Sequence, residues 1–415
     1  MAQLTNDCFA FGGDLMPVDD ALARIRARVP AVAGVHEVPL IEADGCVLAR
    51  DVAAALPLPP FANSAVDGYA VRFADLGPEG ASLPVSGRVP AGMAPQASGG
   101  GVAVRIFTGA PMPEGFDTVF MQEDVSLEDG RVHLPPGLSR GANARPAGED
   151  IPAGALALAA GRLLMPQDVA LLAALGQERV AVRRPLRVAI FSTGDELVAP
   201  GGPLAPAKLY DSNRFLLGAL LRRLGCAVMD LGILADSRDA VAAALTEGAA
   251  GHDLLITSGG VSTGEEDHVK AAVERAGALD FWRIAIKPGR PVALGTVGGA
   301  AFIGLPGNPV AVFVTFTQVA RALIAALRGE DWRPAPALPV RSGFGYKKKE
   351  GRREFVRVSL APSGDALPLA AKHPREGAGV LTSLTDTDGL VELPEATTRV
   401  APGDVLAYRP FAALF

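Results

Sequence analysis

Cysteine is scarce: Cys8, Cys46 and Cys226 lie far apart in a chain of 415 residues. No CxxC and no Cys/His cluster occurs, which argues against a disulfide framework and against a structural zinc site. Thiol usage of this kind is expected of a reduced, cytoplasmic protein. Surplus positive charge is also lacking: 39 Lys and Arg against 45 Asp and Glu leave a net charge of −6, so no basic nucleic-acid surface is expected. The five histidines have no metal-ligand spacing, and no Ser/His/Asp order is recognisable. Nucleophilic hydrolase chemistry is therefore unsupported. The opening residues hold an early aspartate and no apolar run, unlike a secretory leader. The longest apolar stretch, 310–327, is interrupted by Thr315, Thr317, Gln318 and Arg321, which predicts a buried helix and no membrane span.

Glycine (48) and proline (34) are plentiful and follow no collagen-like period, so they read as many tight turns and loops. The chain is 49% hydrophobic and 20% charged, which excludes wholesale disorder. Its length suits two to four domains at roughly 150 residues each.

Texture divides the chain. Residues 17–30 read as a helix with acidic residues in its first turn and Pro30 after its end. From 61 to about 144, Gly and Pro recur between short β-rich runs such as Val102–Thr108 and Thr118–Gln122, the pattern of a small all-β domain. A helix begins at Pro166–Asp168 and ends at Gly176. Beyond Pro185, apolar strands (187–191, 227–231, 253–257, 283–287, 292–297, 301–305) alternate with helices (212–224, 237–249, 265–277, 309–328). The first of these helices has Asp211 or Ser212 as its cap. This alternation predicts a parallel sheet covered on both faces. Residues 338–415 carry short strands (355–360, 389–393, 404–408) and no long helix, which predicts a smaller β domain.

In an open α/β sheet, ligands lie beyond the carboxyl ends of the strands. Four loops belong there: "STGDEL" (192–197), Asp236–Ser237, "TSGGVSTGEED" (257–267) and "LPGNP" (305–309). In the third, Gly259 and Gly260 permit a tight turn and close backbone approach. Ser258, Ser262 and Thr263 supply hydroxyls there, and Gly264 brings the chain to a helix start that favours an anion, most plausibly phosphate. It is neither a Walker A loop nor GxGxxG; a plain βα loop with Ser/Thr caps reads equally well. In "LPGNP", Asn308 as a cap and Pro309 at the first helical position suffice to explain helix initiation. Asp195, Glu196, Asp236, Glu265, Glu266 and Asp267 gather at these strand ends. Converging carboxylates beside a phosphate loop suit Mg²⁺, although acidic residues also favour helix N-termini for their own sake. In "RIAIKPGRP", Arg283, Lys287 and Arg290 offer counter-charges, with Arg283 and Lys287 on one face if the strand is regular. Outside this domain, "PPFANSAVDGYAVR" packs Asn63, Ser64 and Asp67 into one loop, and "IFTGAPMPEG" puts Thr108 at a strand end. Turn chemistry alone accounts for both.

Together, "PPFANSAVDGYAVR", "FTGAPMPEG", "AGEDI", "STGDEL", "YDSNR", "SGGVSTGEED", "IKPGRP" and "LPGNPV" occur in the order found in the MoeA-type molybdopterin molybdenumtransferase family, which includes the E domain of gephyrin. The chain resembles that family over nearly its whole length. The resemblance implies a multidomain α/β plus β architecture: a discontinuous helical linker domain (1–58 and 145–184), an inserted β domain (59–144), an α/β molybdopterin-binding domain (185–330) and a C-terminal β domain (331–415). It implies that adenylylated molybdopterin and molybdate are substrates, that AMP is released with Mg²⁺, and that the enzyme is a homodimer. In such a dimer Asp67 and Thr108 approach the partner's α/β cleft. Carried over by motif, Asp67, Thr108, Asp150, Glu196, Asp236, Asp267 and Lys287 are the catalytic set, with Glu196, Asp236 and Asp267 as metal ligands. Ser258, Gly259, Gly260, Ser262, Gly264, Arg283, Pro306, Gly307, Asn308 and Arg352 are the expected cofactor-binding set. Arg283 stands where a lysine is common, and Ala378 where a serine is usual. Two alternatives share the fold: a molybdopterin adenylyltransferase, which would consume ATP, and a non-catalytic scaffold. Other proteins of the cofactor pathway are possible partners; nucleic acid and membrane are not expected.

Overall fold

The computed structural model describes residues 15–96, 98–235, 237–260, 268–364 and 366–414. The first helix, Val18–Arg28, has Asp19 and Asp20 in its first turn and Arg26 and Arg28 in its last, complementing the helix dipole at both ends. Val18, Ala21, Leu22 and Ile25 recur at helical spacing and are buried in the core of the α/β region, together with Leu323 and Leu327. Met16 extends this attachment. Its N–H donates to the Arg283 carbonyl at 2.8 Å, and its carbonyl accepts from Ala285 at 2.7 Å.

Strand Val35–Pro39 pairs antiparallel with Arg179–Arg183. Residues from both ends of the interrupted segment, including Val38, Leu48, Leu164, Leu172 and Val182, share one small core. Helix Pro166–Ala174 belongs to it, and the Asp168 carboxylate accepts the Met165 N–H at 3.0 Å. Between these halves lies a six-stranded β sheet in the order 118–121, 68–71, 103–106, 81–89, 131–134 and 126–128, the all-β unit that the Gly/Pro texture predicts.

The central sheet runs 227–234, 187–193, 254–258, 300–305, 291–297 and 277–283. Its apolar strands are buried on both faces. Val188 and Ile190 join one core with Leu217 and Val312, while Ala189 and Phe191 join the other with Val241 and Val273. That is period-two alternation between two helical layers. The predicted parallel sheet is corrected to a mixed one: the first four strands are parallel, but Pro291–Val297 and Gly277–Arg283 are antiparallel to their neighbours. The cause is a tight return, because Val297 pairs with Ala300 across Gly298 and Gly299, both at positive φ, leaving no length for a crossover.

The predicted strand 283–287 is likewise corrected. Arg283 ends one strand, residues 284–285 turn to Met16, and Ile286–Lys287 pairs with Arg353–Ala361 of the C-terminal sheet. Arg283 and Lys287 therefore do not share a strand face. Segment Pro309–Arg328 is helical with mean hydropathy 1.9 and is 89% buried, a core helix as predicted. It ends at Gly329 in the left-handed conformation.

The C-terminal strands 286–287, 353–361, 369–372, 338–342, 405–410 and 389–393 form a sheet in that order, and 353–361 also pairs with 389–393, which curls it into a barrel-like unit. Arg353 ties this unit to the first helix through Asp19 (2.7 Å), and within its own unit it meets Glu392 and Glu395.

Candidate active site

The carboxyl rim of the central sheet is built from glycine bends and small polar side chains. At the end of the first parallel strand, Gly194 has φ +138, and a Cβ there would lie 2.6 Å from Glu196 Oε2. The positive φ favours glycine here, and the exposed Glu196 carboxylate folds back over that backbone. In the neighbouring loop Gly259 (φ +87) and Gly260 (φ +64) are both left-handed. A Cβ on Gly260 would meet Val269 Cγ2 at 2.5 Å and Thr193 Oγ1 at 2.8 Å. The Gly259 N–H donates to Leu305 O at 3.0 Å, which draws this loop against the 305–309 turn.

The "YDSNR" motif has a local reason. Asp211, 2% exposed, accepts from the Arg214 backbone N–H at 3.2 Å and from its Nε at 3.0 Å. Of the two predicted caps, Asp211 therefore supplies the bond, since Ser212 makes no side-chain cap. This buried pair fixes the helix start, and Asn213 Nδ2 donates to Gly307 O at 2.6 Å. Among the described residues, three buried polar atoms around this rim lack a partner: Ser192 Oγ, Thr257 Oγ1 and Asn213 Oδ1. Buried polar atoms are normally bonded, because an unsatisfied one costs about 1–3 kcal/mol. No local pattern marks these three in advance.

The "LPGNP" turn behaves as helix initiation. Asn308 precedes the helix with extended backbone, Pro309 takes the first position, and the Asn308 side chain makes no cap bond. The Val310 N–H donates instead to Ala378 O at 3.0 Å, so the residue replacing the usual serine contributes its backbone here. Pro306 is buried; Gly307 and Asn308 are exposed. Asp236, Ser262, Gly264, Glu265, Glu266 and Asp267 lie outside the described residues. Among the described residues no group of three His, Cys, Asp or Glu side chains could hold a metal.

In the inserted sheet, Asp67 and Thr108, expected separately as site residues, are brought together. Asp67 Oδ1 accepts from the Thr108 backbone N–H and from Thr108 Oγ1, both at 2.8 Å. The backbone bond, then the hydroxyl bond, holds the Asp67 carboxyl below its ordinary value of 3.8. Gly68 follows because a Cβ there would fall 1.8 Å from Phe120 O on the adjacent strand. Asp150 is exposed and is placed by its backbone, whose N–H donates to Leu58 O at 3.0 Å.

Lys287 sits at the seam with the C-terminal unit. Its Nζ lies 2.9 Å from Glu354 Oε2 and 3.3 Å from the Tyr346 hydroxyl. That hydroxyl itself donates to Glu354 Oε2 at 2.8 Å, and burial, reinforced by the carboxylate, pushes the phenol well above its ordinary value. Sequence reasoning missed Glu354 and Tyr346; a carboxylate only 2% exposed announces itself only once burial is known. Arg352 is half-buried in the turn before its strand, and Arg283 is half-buried at the end of its own.

Comparison with known proteins adds to this geometry. Residues 16–176 match the MoeA N-terminal region (domain I and II), 189–326 the probable molybdopterin binding domain, and 339–411 the MoeA C-terminal region (domain IV). The chain is 38% identical to the molybdopterin molybdenumtransferase of Haemophilus influenzae, over 96% of this chain and 99% of that protein. It is 36% identical to molybdopterin molybdenumtransferase 2 of Mycobacterium tuberculosis, over 89% and 93%. The crystal structure of a molybdopterin biosynthesis moeA protein from Pyrococcus horikoshii OT3 superposes with a TM-score of 0.79 at 27% identity, covering 96% of this chain and all of that one (100%).

Proposed function

The chain belongs to the MoeA-type molybdopterin molybdenumtransferase family and is an enzyme of molybdenum cofactor biosynthesis; from that premise we propose that it inserts molybdate-derived molybdenum into adenylylated molybdopterin and releases AMP. The observation that carries this reading is the set of buried atoms at the carboxyl rim with no partner among the described residues, Ser192 Oγ and Asn213 Oδ1 on one face of the sheet and Thr257 Oγ1 on the other. Such a rim offers hydrogen bonds to a polar ligand that the folded chain itself leaves unused.

The residues take distinct parts. The glycine bends and the rim hydroxyls bind and orient the nucleotide end of the substrate. Asp67, kept ionised by Thr108, is an acceptor able to order a water or a molybdate oxygen. Lys287, held by Glu354 and Tyr346, supplies a fixed positive charge for an oxyanion. The donor chemistry at Glu196, an exposed carboxylate at the rim, fits Mg²⁺, with Asp236 and Asp267 as the further proposed ligands. Bound there, Mg²⁺ would offset charge developing on phosphoryl oxygens.

Among the described residues no hydrogen bond or ion pair joins Asp67 or Thr108 to this rim. In the proposed arrangement the enzyme is a cytoplasmic homodimer, and the inserted sheet of one subunit completes the cleft of the other. The proposed domains are 1–58 with 145–184, 59–144, 185–330 and 331–415.

Purified protein given adenylylated molybdopterin, molybdate and Mg²⁺ is expected to release AMP in a molybdate-dependent way. Chelation of the metal with EDTA is expected to stop the release and added Mg²⁺ to restore it. Release that ignores molybdate, or that requires ATP, would overturn the proposal.

A further inference from the structure

The inserted sheet carries a feature beside Asp67 and Thr108 that the proposed chemistry leaves unused. Arg105 stands in register with Tyr69 on one neighbouring strand and with Arg88 on the other. Residues in register project to one face, so these three side chains form a row across three strands. The Arg88 guanidinium carbon lies 5.0 Å from the Phe107 ring centroid, and that of Arg105 lies 4.9 Å from the same ring and 5.1 Å from the ring of Tyr69. Arg105 is further located by donating to Gly68 O at 3.1 Å and to the Gln122 side-chain carbonyl. Arg88 is exposed. Among the described residues Arg88 makes no hydrogen bond, and neither arginine makes an ion pair.

Like charges directly opposite on adjacent strands are destabilising. An aromatic ring softens this through its quadrupole but does not neutralise it. Arg105 spends both terminal nitrogens on Gly68 O and Gln122, whereas the exposed Arg88 keeps the planar fork of donors that a guanidinium carries. That planar fork suits bidentate contact with a tetrahedral oxyanion better than a lysine would. Arg105 acts electrostatically on Asp67, one of whose oxygens is already occupied by both Thr108 donors.

We infer that Arg88 and Arg105, stacked on Phe107, form a phosphate-binding seat adjoining the Asp67–Thr108 pair. The ligand class is a phosphate ester or diphosphate. Resting on the proposed function, the seat would receive a phosphate of the adenylylated substrate as Asp67 approaches it. Arg105 sets the position, and Arg88 supplies the unused donors.

Isothermal titration of the full-length protein with inorganic pyrophosphate, and separately with molybdate, tests this. Arg88→Ala is expected to weaken pyrophosphate binding about tenfold, while its thermal melt stays that of the wild type. Arg88→Lys should recover only part of the affinity, because an ammonium lacks the fork. Unchanged pyrophosphate affinity in Arg88→Ala would overturn the seat. So would a loss of molybdate binding with pyrophosphate untouched, or a wild type that binds neither ion. The AMP-release assay separates the two readings. Release by the wild type, with pyrophosphate binding indifferent to Arg88, defeats the seat alone. Arg88-dependent pyrophosphate binding without AMP release leaves the seat and defeats the proposed reaction.

Discussion

The inserted sheet and the rim of the central sheet handle their polar groups in opposite ways. In the insert, Asp67 and Thr108 satisfy one another through two bonds of 2.8 Å. At the rim, Ser192, Thr257 and Asn213 each bury a polar atom that has no partner among the described residues. A satisfied pair is fixed in geometry and charge before any ligand arrives, which suits a group that acts on a ligand. An unsatisfied pocket carries a cost in the free protein that a ligand can remove, which suits a group that binds one. The two halves of the proposed site thus divide orientation from recruitment, and they sit on separate sheets.

The sharpest way to break this contrast is to disable the acting half. Asp67→Asn is expected to lower AMP release at least about 100-fold. The carboxyl lies at the surface, so the fold should survive with only a small drop in melting temperature. A variant with wild-type turnover would remove Asp67 from the chemistry.

Next comes the binding half. Gly260→Ala places a Cβ against Val269 and Thr193 at a backbone φ of +64. A destabilisation of about 1–3 kcal/mol is expected, read from the urea midpoint, along with weaker AMP binding. An unshifted midpoint would mean that this bend relaxes easily.

The smallest effect concerns the charge of Asp67. Its folded-state value lies below 3.8. Its contribution to stability is therefore complete above 3.8 and fades as pH falls through the lower folded value. Thr108→Val removes the hydroxyl bond and keeps the backbone one, so the carboxyl midpoint followed by NMR should rise only part of the way. A midpoint identical to the wild type would show that the hydroxyl does nothing for the charge.

Much of this was legible in the sequence. Helix starts at Val18 and Pro166, the buried helix after Pro309, and the all-β insert all followed from local signals. These include a proline at a helix entry, acids in a first turn, and Gly/Pro spacing between β-rich runs. Asp67 and Thr108 were each reached through motifs, but their contact across 41 positions was not. The mixed sheet was not legible, because a short apolar run has no direction until its turn is known. Nor was the break at 284–285, which depends on Met16 arriving from the far end of the chain.

By itself the sequence determined which segments could be strands or helices, where glycine had to bend the chain, and which family it joins. The elements and bends arise from neighbours within a few residues, where periodicity and backbone sterics act, and the family from the order of short motifs along the chain. Only the tertiary structure decided that Lys287 would rest on Glu354, that Ala378 would cap the Val310 helix, and that Arg88 and Arg105 would share one ring. Each of these joins residues brought close by register and packing, and no local pattern encodes which distant partner will occupy the space.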